Sequence, residues 1–173
     1  MQRTLVALVE NQPGVLMRVA NLFARRGFNI ESFSVGHTDT SKISRMTIVV
    51  DSAKTQVEQV IKQLYKLIDV LKVSDVTDDP TVDRELALIK VTASPSNRAE
   101  IVELTTIFRG KVVDVASDSL MVEVTGTEEK VDRLLELLRP YGLKEMVRTG
   151  MVSMTRGSTI SASLRDDRLE AAG

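Results

Sequence analysis

The sequence predicts an α+β fold built from two ferredoxin-like βαββαβ domains in tandem. Apolar runs of strand length alternate with stretches whose apolar residues recur at helical spacing, and the order strand, helix, strand, strand, helix, strand occurs twice in 173 residues. The motif Phe-Ala-Arg-Arg-Gly at 23–27 is loosely echoed by Phe-Arg-Gly at 108–110, at the end of the first predicted helix of each half. We therefore expect two domains with one plan.

The first half contains four apolar strand-like runs and two amphipathic stretches. Pro13 suits the first turn of the first helix, where its missing N–H would be unpaired in any case, and Gly27 is a helix stop. The helices are marked by Val15, Leu16, Val19, Ala20 and Phe23, and by Val57, Val60, Ile61, Leu64 and Ile68. The strands are Thr4 to Val9, Ile30 to His37, Ser44 to Val50 and Val70 to Val76.

The second half repeats this order after the polar break Asp78-Asp79-Pro80-Thr81. Its helices are marked by Ile101, Leu104, Thr105 and Phe108, ending at Gly110, and by Val131, Leu134, Leu135 and Leu138. Its strands are Leu86 to Ala93, Lys111 to Ala116, Leu120 to Thr125 and Leu143 to Val152. The predicted domains are therefore 1–77 and 85–157, with a linker at 78–84 and a flexible tail at 158–173.

Composition limits the classes of function. A net charge of −1 argues against nucleic acid or an anionic membrane as a partner, and the chain has no cysteine. No apolar stretch reaches the roughly 20 residues of a membrane span, and no signal-peptide core is present at the N-terminus. These features predict a cytoplasmic protein without thiol chemistry or cysteine metal sites.

Candidate catalytic residues are scarce. The single histidine, His37, lies in an alternating strand, which favours a structural or surface role, and no nucleotide, metal or serine-nucleophile motif is present. RNA binding, a common function of this topology, requires aromatic side chains on the central strands, where Met46, Ile48 and Val50 are found instead. We therefore expect no catalytic residue, no metal site and no nucleic-acid partner.

The turn Asn11-Gln12-Pro13-Gly14 has the features of an anion site. It precedes a helix whose first N–H groups lack partners, and Gly14 has no side chain to block a ligand that approaches the backbone. Asn11 offers both an amide NH2 group and an oxygen, which suits a ligand with a carboxylate and an ammonium group. An ordinary helix start, with Asn11 as its cap and Gly14 incidental, is the alternative, and the turn taken alone favours this alternative.

A family resemblance bears on that choice. The stretch ENQPGVLMRVANLFARRGFNIESFSVGHTDTSKISRMTIVV resembles the N-terminal ACT domain of the small, regulatory subunit of acetohydroxyacid synthase, also called acetolactate synthase. Gly-Phe-Asn-Ile-Glu-Ser at 27–32 and Ser-Arg-Met-Thr-Ile at 44–48 are specific to that family. Thr-Ile-Phe-Arg-Gly-Lys at 106–111, followed by Val-Asp-Val at 113–115, is similar to its second domain, so the resemblance extends from residue 1 to about 157.

The resemblance implies a non-catalytic subunit in branched-chain amino acid biosynthesis. It implies that the chain binds a large catalytic subunit containing thiamine diphosphate, Mg2+ and FAD, with no cofactor of its own. It also implies activation of that subunit, feedback inhibition by valine or a related amino acid, and a homodimer formed through the ACT domain. The matching effector-site residues are Asn11, Gly14, Val15 and Leu16 of one subunit and Asn29 and Ile30 of its neighbour.

Two features of the sequence modify these expectations. Phe33 replaces the leucine that is more common in the family, next to the predicted dimer interface, so pocket size and effector preference are open. Pro95-Ser96-Asn97 begins the corresponding helix of the second half without a Pro-Gly turn, so no second valine-type site is expected there. A ligand-free module that only assembles with and activates its partner is the alternative function.

Overall fold

A computed structural model describes residues 1–158 and residue 160, except for the side chains of residues 54 and 55. The chain divides into two compact units: Met1–Val82 together with the segment that begins at Met151, and Asp83–Gly150. Residues 151–157, which the sequence analysis placed in the second domain, are thus in the first unit. The predicted tail lies outside the described residues, apart from residues 158 and 160.

The first unit contains a four-stranded antiparallel sheet with the order β2-β3-β1-β4. Two helices connect its strands in the predicted βαββαβ order. The elements are β1 (Gln2–Glu10), α1 (Val15–Arg25), β2 (Ile30–His37), β3 (Ile43–Asp51), α2 (Lys54–Leu64) and β4 (Val70–Asp75). β1 therefore lies between two neighbours, whereas β2 is an edge strand.

The central strand β1 buries side chains on both faces. Alternate residues contribute to the core under the helices, where Phe23 of α1 is fully buried and meets Phe28 edge-to-face with ring centroids 6.2 Å apart. The core residues of β1 are Leu5, Ala7 and Val9. On the opposite face Val6 and Leu8 pack with Val76 in a smaller cluster. A strand buried on both faces explains the continuous apolar run in the sequence.

The segment that begins at Met151 lies across the outer face of this sheet, opposite the helices. The backbone N–H of Met151 donates to Ser32 Oγ at 2.7 Å, and Arg45 Nη2 donates to the Ser153 carbonyl at 2.8 Å. The strand register places Ser32 and Arg45 on this face, on either side of the row that contains Val6. The segment therefore passes over that row, and Val6 is 0% exposed.

This arrangement differs from the single last strand predicted for residues 143–152. The structure has two strands instead, β8 (Leu143–Arg148) and β9 (Val152–Thr155), and β9 pairs with β5 (Thr81–Thr92). The backbone N–H of Arg156 donates to the Pro80 carbonyl at 2.8 Å. Because β9 provides a pairing strand for β5, β5 begins at Thr81, within the segment 78–84 that is predicted to be a linker.

The second unit repeats the topology, with the sheet order β6-β7-β5-β8. Its remaining elements are α3 (Arg98–Ile107), β6 (Lys111–Val115), β7 (Ser119–Gly126), α4 (Glu128–Leu138) and a 3-10 turn (Arg139–Tyr141). Alternate residues of β5 and β7 pack against α3 and α4. The prediction of two ferredoxin-like domains is confirmed.

A buried ion pair joins β1 to β4, the first and the last strand of the βαββαβ order in the first unit. Arg3, 3% exposed, donates through Nη2 to Asp75 Oδ2 at 2.5 Å, and its Nη1 lies 3.5 Å from the exposed carboxylate of Asp78. Burial raises the pKa of Asp75, but hydrogen bonds from Thr77 and Arg3 together lower it more. The pKa of Asp75 therefore lies below the ordinary value of an aspartate.

This lowered pKa predicts how stability depends on pH. The Asp75 carboxylate contributes its full stability well above the ordinary pKa of an aspartate and loses it as the pH falls through its lowered pKa. We expect Asp75→Asn to lower the free energy of unfolding by about 3 kcal/mol at pH 7, because it leaves buried Arg3 without its close partner.

Urea unfolding at pH 7 and pH 3 measures both effects, and the Asp75→Asn variant should lose less stability than wild type on acidification. Asp78→Asn is the matched control, because it removes an exposed partner of the same arginine and should cost less than about 1 kcal/mol. Equal costs for the two variants at pH 7 would contradict the prediction.

Candidate functional site

The turn between β1 and α1 is fixed by backbone contacts. The N–H of Asn11 donates to the Lys42 carbonyl at 2.8 Å, and the N–H of Glu10 donates to the Asp69 carbonyl at 2.8 Å. Gly14 has φ +85° and ψ −10°, a left-handed conformation that glycine adopts without steric cost. The helix therefore begins at Val15, and Pro13 precedes it instead of occupying its first turn as predicted.

The first turn of α1 presents backbone donors. Within the described part of the chain, no side chain caps this helix, so the alternative of Asn11 as its cap is not what the structure has. The Val15 N–H reaches the Gln12 carbonyl at a long 3.4 Å, and no described group accepts from the N–H groups of Leu16 and Met17. Unpaired N–H groups and the helix dipole together favour an anion at this position.

The Asn11 side chain is oriented by two neighbours. Its Nδ2 donates to the Ser41 carbonyl at 2.9 Å and lies 3.3 Å from His37 Nδ1. A carbonyl can only accept, so this contact fixes which end of the amide is the NH2 group. The same NH2 group also faces His37 Nδ1. Because the NH2 group is a donor, Nδ1 has to be the acceptor, which favours the histidine tautomer with its proton on Nε2. Asn11 therefore has Oδ1 left as an acceptor for a ligand.

An ion pair lies beside the turn. Arg18 Nε and Nη2 each lie 2.7 Å from Asp69 Oδ2, and the Asp69 side chain is only 6% exposed. A Cβ built on Gly14 would come within 3.0 Å of Arg18 Nη1. The guanidinium group therefore covers the backbone at Gly14, and a side chain at that position would require it to move.

The two site residues predicted to come from the neighbouring subunit lie far from the turn within one chain. Asn29 and Ile30 are at the start of β2, where Asn29 Nδ2 hydrogen-bonds Glu31 Oε1 and Ile30 is paired with Val50. His37, beside Asn11, ends the same strand, and seven residue steps of about 3.3 Å separate its two ends by about 23 Å. Within one chain the structure brings together Asn11, Gly14, Val15 and Leu16 but not Asn29 and Ile30.

Sequence reasoning missed four neighbours of the turn: His37, Ser41, Arg18 and Asp69. The strand order provides a signal for the first two, because β1 pairs with β3 and thereby brings the β2–β3 hairpin next to the end of β1. The Arg18–Asp69 contact has no comparable signal, since it joins a helix to a loop 51 residues away. For His37 the sequence predicts only a structural or surface role, whereas the structure places it beside Asn11.

The second unit differs at the equivalent position. Helix α3 is preceded by Asn97, whose Oδ1 accepts from the backbone N–H of Ser94 at 2.7 Å. Arg98 Nη2 donates to the carbonyls of Ala116 and Ser117, both at 3.0 Å. This turn has no glycine in a left-handed conformation. The expectation that it holds no second amino acid stays a prediction.

Two kinds of feature are absent from residues 1–158 and 160, a metal-binding cluster and a membrane-spanning helix. No group of three or more acidic or histidine side chains in this part of the chain is arranged to hold a metal ion. None of its helices combines the length and the apolar character that crossing a bilayer requires.

The fold and the glycine turn define a class of protein: a tandem α+β chain whose first domain is of the ACT type. A family model described as "AHAS small subunit-like ACT domain" matches residues 5–72, and one described as "Small subunit of acetolactate synthase" matches residues 84–157. The chain therefore belongs to the acetolactate synthase small subunit family, as the resemblance implied.

Similar proteins agree with this assignment. The chain is 58% identical over 158 residues to a "Probable acetolactate synthase small subunit" of Archaeoglobus fulgidus, covering 91% of this chain and 99% of the relative. It is 53% identical to the "Acetolactate synthase small subunit" of Mycolicibacterium smegmatis, covering 89% and 91%. The crystal structure of the small subunit from Thermotoga maritima superposes with a TM-score of 0.85 at 42% identity, covering 92% and 99%.

The conformation of Gly14 predicts the cost of a side chain. We expect Gly14→Ala to lower the free energy of unfolding by about 1 to 2 kcal/mol, the usual cost of a left-handed backbone at a residue with a Cβ. Gly27→Ala, at φ +71° with no atom within 4 Å of the added Cβ, is the control for backbone strain alone. Urea unfolding measures both, and a neutral Gly14→Ala would contradict the prediction.

Proposed function

We propose that the chain binds the large catalytic subunit of acetolactate synthase, raises its activity and makes it sensitive to valine. Membership in the small subunit family supports the partner, since a small subunit implies a large one. The observation that carries the regulatory part is the uncapped first turn of α1 beside the left-handed Gly14. Thiamine diphosphate, Mg2+ and FAD would lie in the large subunit.

The effector would be held through both of its charges. Its carboxylate would accept hydrogen bonds from the N–H groups at the start of α1, where the helix dipole adds partial positive charge. Its ammonium group would donate to Asn11 Oδ1, because the NH2 group of that amide is used by Ser41 and His37. Leu16, 50% exposed, would contact the apolar side chain of the ligand.

A dimer would complete this pocket. The edge strand β2 has backbone groups on its outer side that no other strand of its sheet pairs, and a second copy can cover them. Two-fold symmetry makes two such strands antiparallel, so the start of one lies beside the end of the other. Asn29 and Ile30 of one subunit would then lie near Asn11 of its neighbour. The dimer would thereby bring together residues that are about 23 Å apart within one chain.

The first test measures regulation directly. The purified chain alone should form no acetolactate from pyruvate, and adding it to the cognate large subunit should raise turnover. Valine should inhibit the complex with wild type but not with Gly14→Asp, whose carboxylate would compete for the same N–H groups and repel that of the effector. The measurement is acetolactate formation against valine concentration.

Gly14→Ala is the matched control for backbone strain in this assay, because it places a Cβ at residue 14 without a charge. Retained valine sensitivity in Gly14→Asp would show that the turn is not the site. Calorimetry with valine, leucine and isoleucine tests the alternative, a module that activates without a ligand, since that module would bind none of them.

A mixed dimer tests the shared pocket. We expect Asn11→Ala or Asn29→Ala alone to weaken valine binding by about 1 to 3 kcal/mol, the cost of an unsatisfied polar partner. A hybrid of the two variants carries both defects in one pocket and restores the other to wild type. About half of the binding stoichiometry should therefore return at near-normal affinity in calorimetry, with each homodimeric variant as its control.

The opposite result is equally clear. If Asn11 and Asn29 served a pocket within a single chain, every site of the hybrid would have one defect, and no tight binding would return. That outcome would exclude the shared interface while leaving the effector turn itself in place.

A further inference from the structure

A groove lies on the helix side of the first unit, between the end of α1 and the length of α2. Its volume is about 290 Å³, and we call it the helix groove. It is lined by Arg26, Phe28, Gln56, Gln59, Val60, Lys62 and Gln63. None of these residues belongs to the β2 edge or to the turn at residues 10–14, so neither the proposed dimer nor a bound effector uses them.

The apolar part of the helix groove is held in place by the turn after α1. Gly27, at φ +71°, lets the chain reverse, and the N–H of Phe28 donates to the Phe23 carbonyl at 3.1 Å. The Phe28 ring meets the fully buried Phe23 ring at 81°. Val60, 2% exposed, also lines the groove. The groove therefore contains a fixed apolar surface that a single apolar side chain can contact.

The polar part of the helix groove is cationic. Arg26 and Lys62 are exposed, and none of the seven lining residues has a carboxylate. Gln56 Oε1 accepts from Ser52 Oγ at 2.8 Å and from the N–H of Ala53 at 3.4 Å, which leaves its NH2 group as a donor. Two cations and amide donors around an apolar surface are complementary to a carboxylate-bearing segment with an apolar side chain.

We propose that the helix groove is the docking site for an acidic segment of the large catalytic subunit, one that also carries an apolar side chain. The proposal rests on the proposed function for the identity of the partner. Charge complementarity selects the kind of segment, and the groove lies outside the contacts of the proposed dimer and effector, so it is available to a third partner.

The position matters because Phe28 directly precedes Asn29, the residue proposed to contact the effector in the neighbouring subunit. An effector that holds Asn29 thereby acts one residue away from the wall of the helix groove. Regulation requires that effector binding and partner binding bias the same element, and this turn is where the two sites meet. A partner in the groove would therefore sense the occupancy of the effector site across the dimer.

Charge reversal tests the docking site. We expect the double variant Arg26→Glu/Lys62→Glu to weaken binding of the cognate holo large subunit by at least about tenfold, because like charges would face each other in the groove. Arg26→Gln/Lys62→Gln should give a smaller loss. Both losses are measured by titrating the large subunit with each variant and following the activation of acetolactate formation. Raising the salt concentration should reduce the difference in affinity between the variants and wild type.

Lys111→Glu/Arg139→Glu is the matched control, because it makes the same change in net charge at exposed positions of the second unit. It should bind the large subunit as wild type does. Calorimetry with valine should give the same affinity for wild type and all three variants, which shows that the first unit is folded and its effector site is intact.

Each contrary result has its own meaning. Wild-type binding by Arg26→Glu/Lys62→Glu, or an equal loss in the control, overturns the docking site. Loss of valine binding with intact binding of the large subunit overturns it in favour of a ligand role for the groove. Failure of the wild-type chain to bind the large subunit overturns the proposed function as well, and so distinguishes the two failures.

Discussion

Strand β1 is buried on both faces, and this burial determines how the rest of the first unit is assembled around it. Its helix-side residues require α1 and α2 above them, and its outer residues Val6 and Leu8 require a cover on the other face. The segment that begins at Met151 contributes that cover, which is why it belongs to the first unit although the second unit precedes it in sequence. The end of β1 also sets the position of the candidate site. Glu10 is tied to the Asp69 carbonyl, so the turn, the uncapped helix and the Arg18–Asp69 pair meet at one end of the sheet.

The chemistry of that end follows from how its polar groups are used. The NH2 group of Asn11 contacts the Ser41 carbonyl and His37 within the chain. Its Oδ1 therefore remains as an acceptor for the ammonium group of a ligand. The first turn of α1 has the opposite character, with donors that the described residues leave unpaired. A zwitterion with its carboxylate toward the helix and its ammonium toward Asn11 satisfies both. Arg18 adds positive charge beside Gly14 but is paired with Asp69, so the backbone donors, rather than an unpaired side-chain charge, would select the carboxylate.

Sequence patterns predicted the strands and helices well where the spacing of apolar residues follows directly from which side chains face the core. Strand β2 has the predicted bounds, and the strands of the first sheet are within two residues of theirs. Patterns failed where partners distant in sequence decide the structure: β9 lies near Pro80, and β5 accordingly begins in the predicted linker. The geometry of Pro13 predicts a position in the first turn of the helix, but the left-handed Gly14 delays the helix start to Val15. For the site, local sequence identified the turn, and only the fold could add His37 or separate Asn29 from Asn11.

The separation of Asn29 from Asn11 has a consequence for regulation. The proposed pocket, divided between two chains, would tie effector binding to the pairing of β2, so whatever stabilises the dimer would also raise the affinity for the effector, and the reverse would hold by linkage. Asn29 and Ile30, which would complete that pocket, directly follow Phe28, a lining residue of the helix groove. In this arrangement a ligand need not move a whole domain to affect a partner. It would need only to change how firmly the chain is held from Gly27 to Ile30, and a bias of about 1 to 3 kcal/mol there would match the coupling energies typical of allosteric proteins.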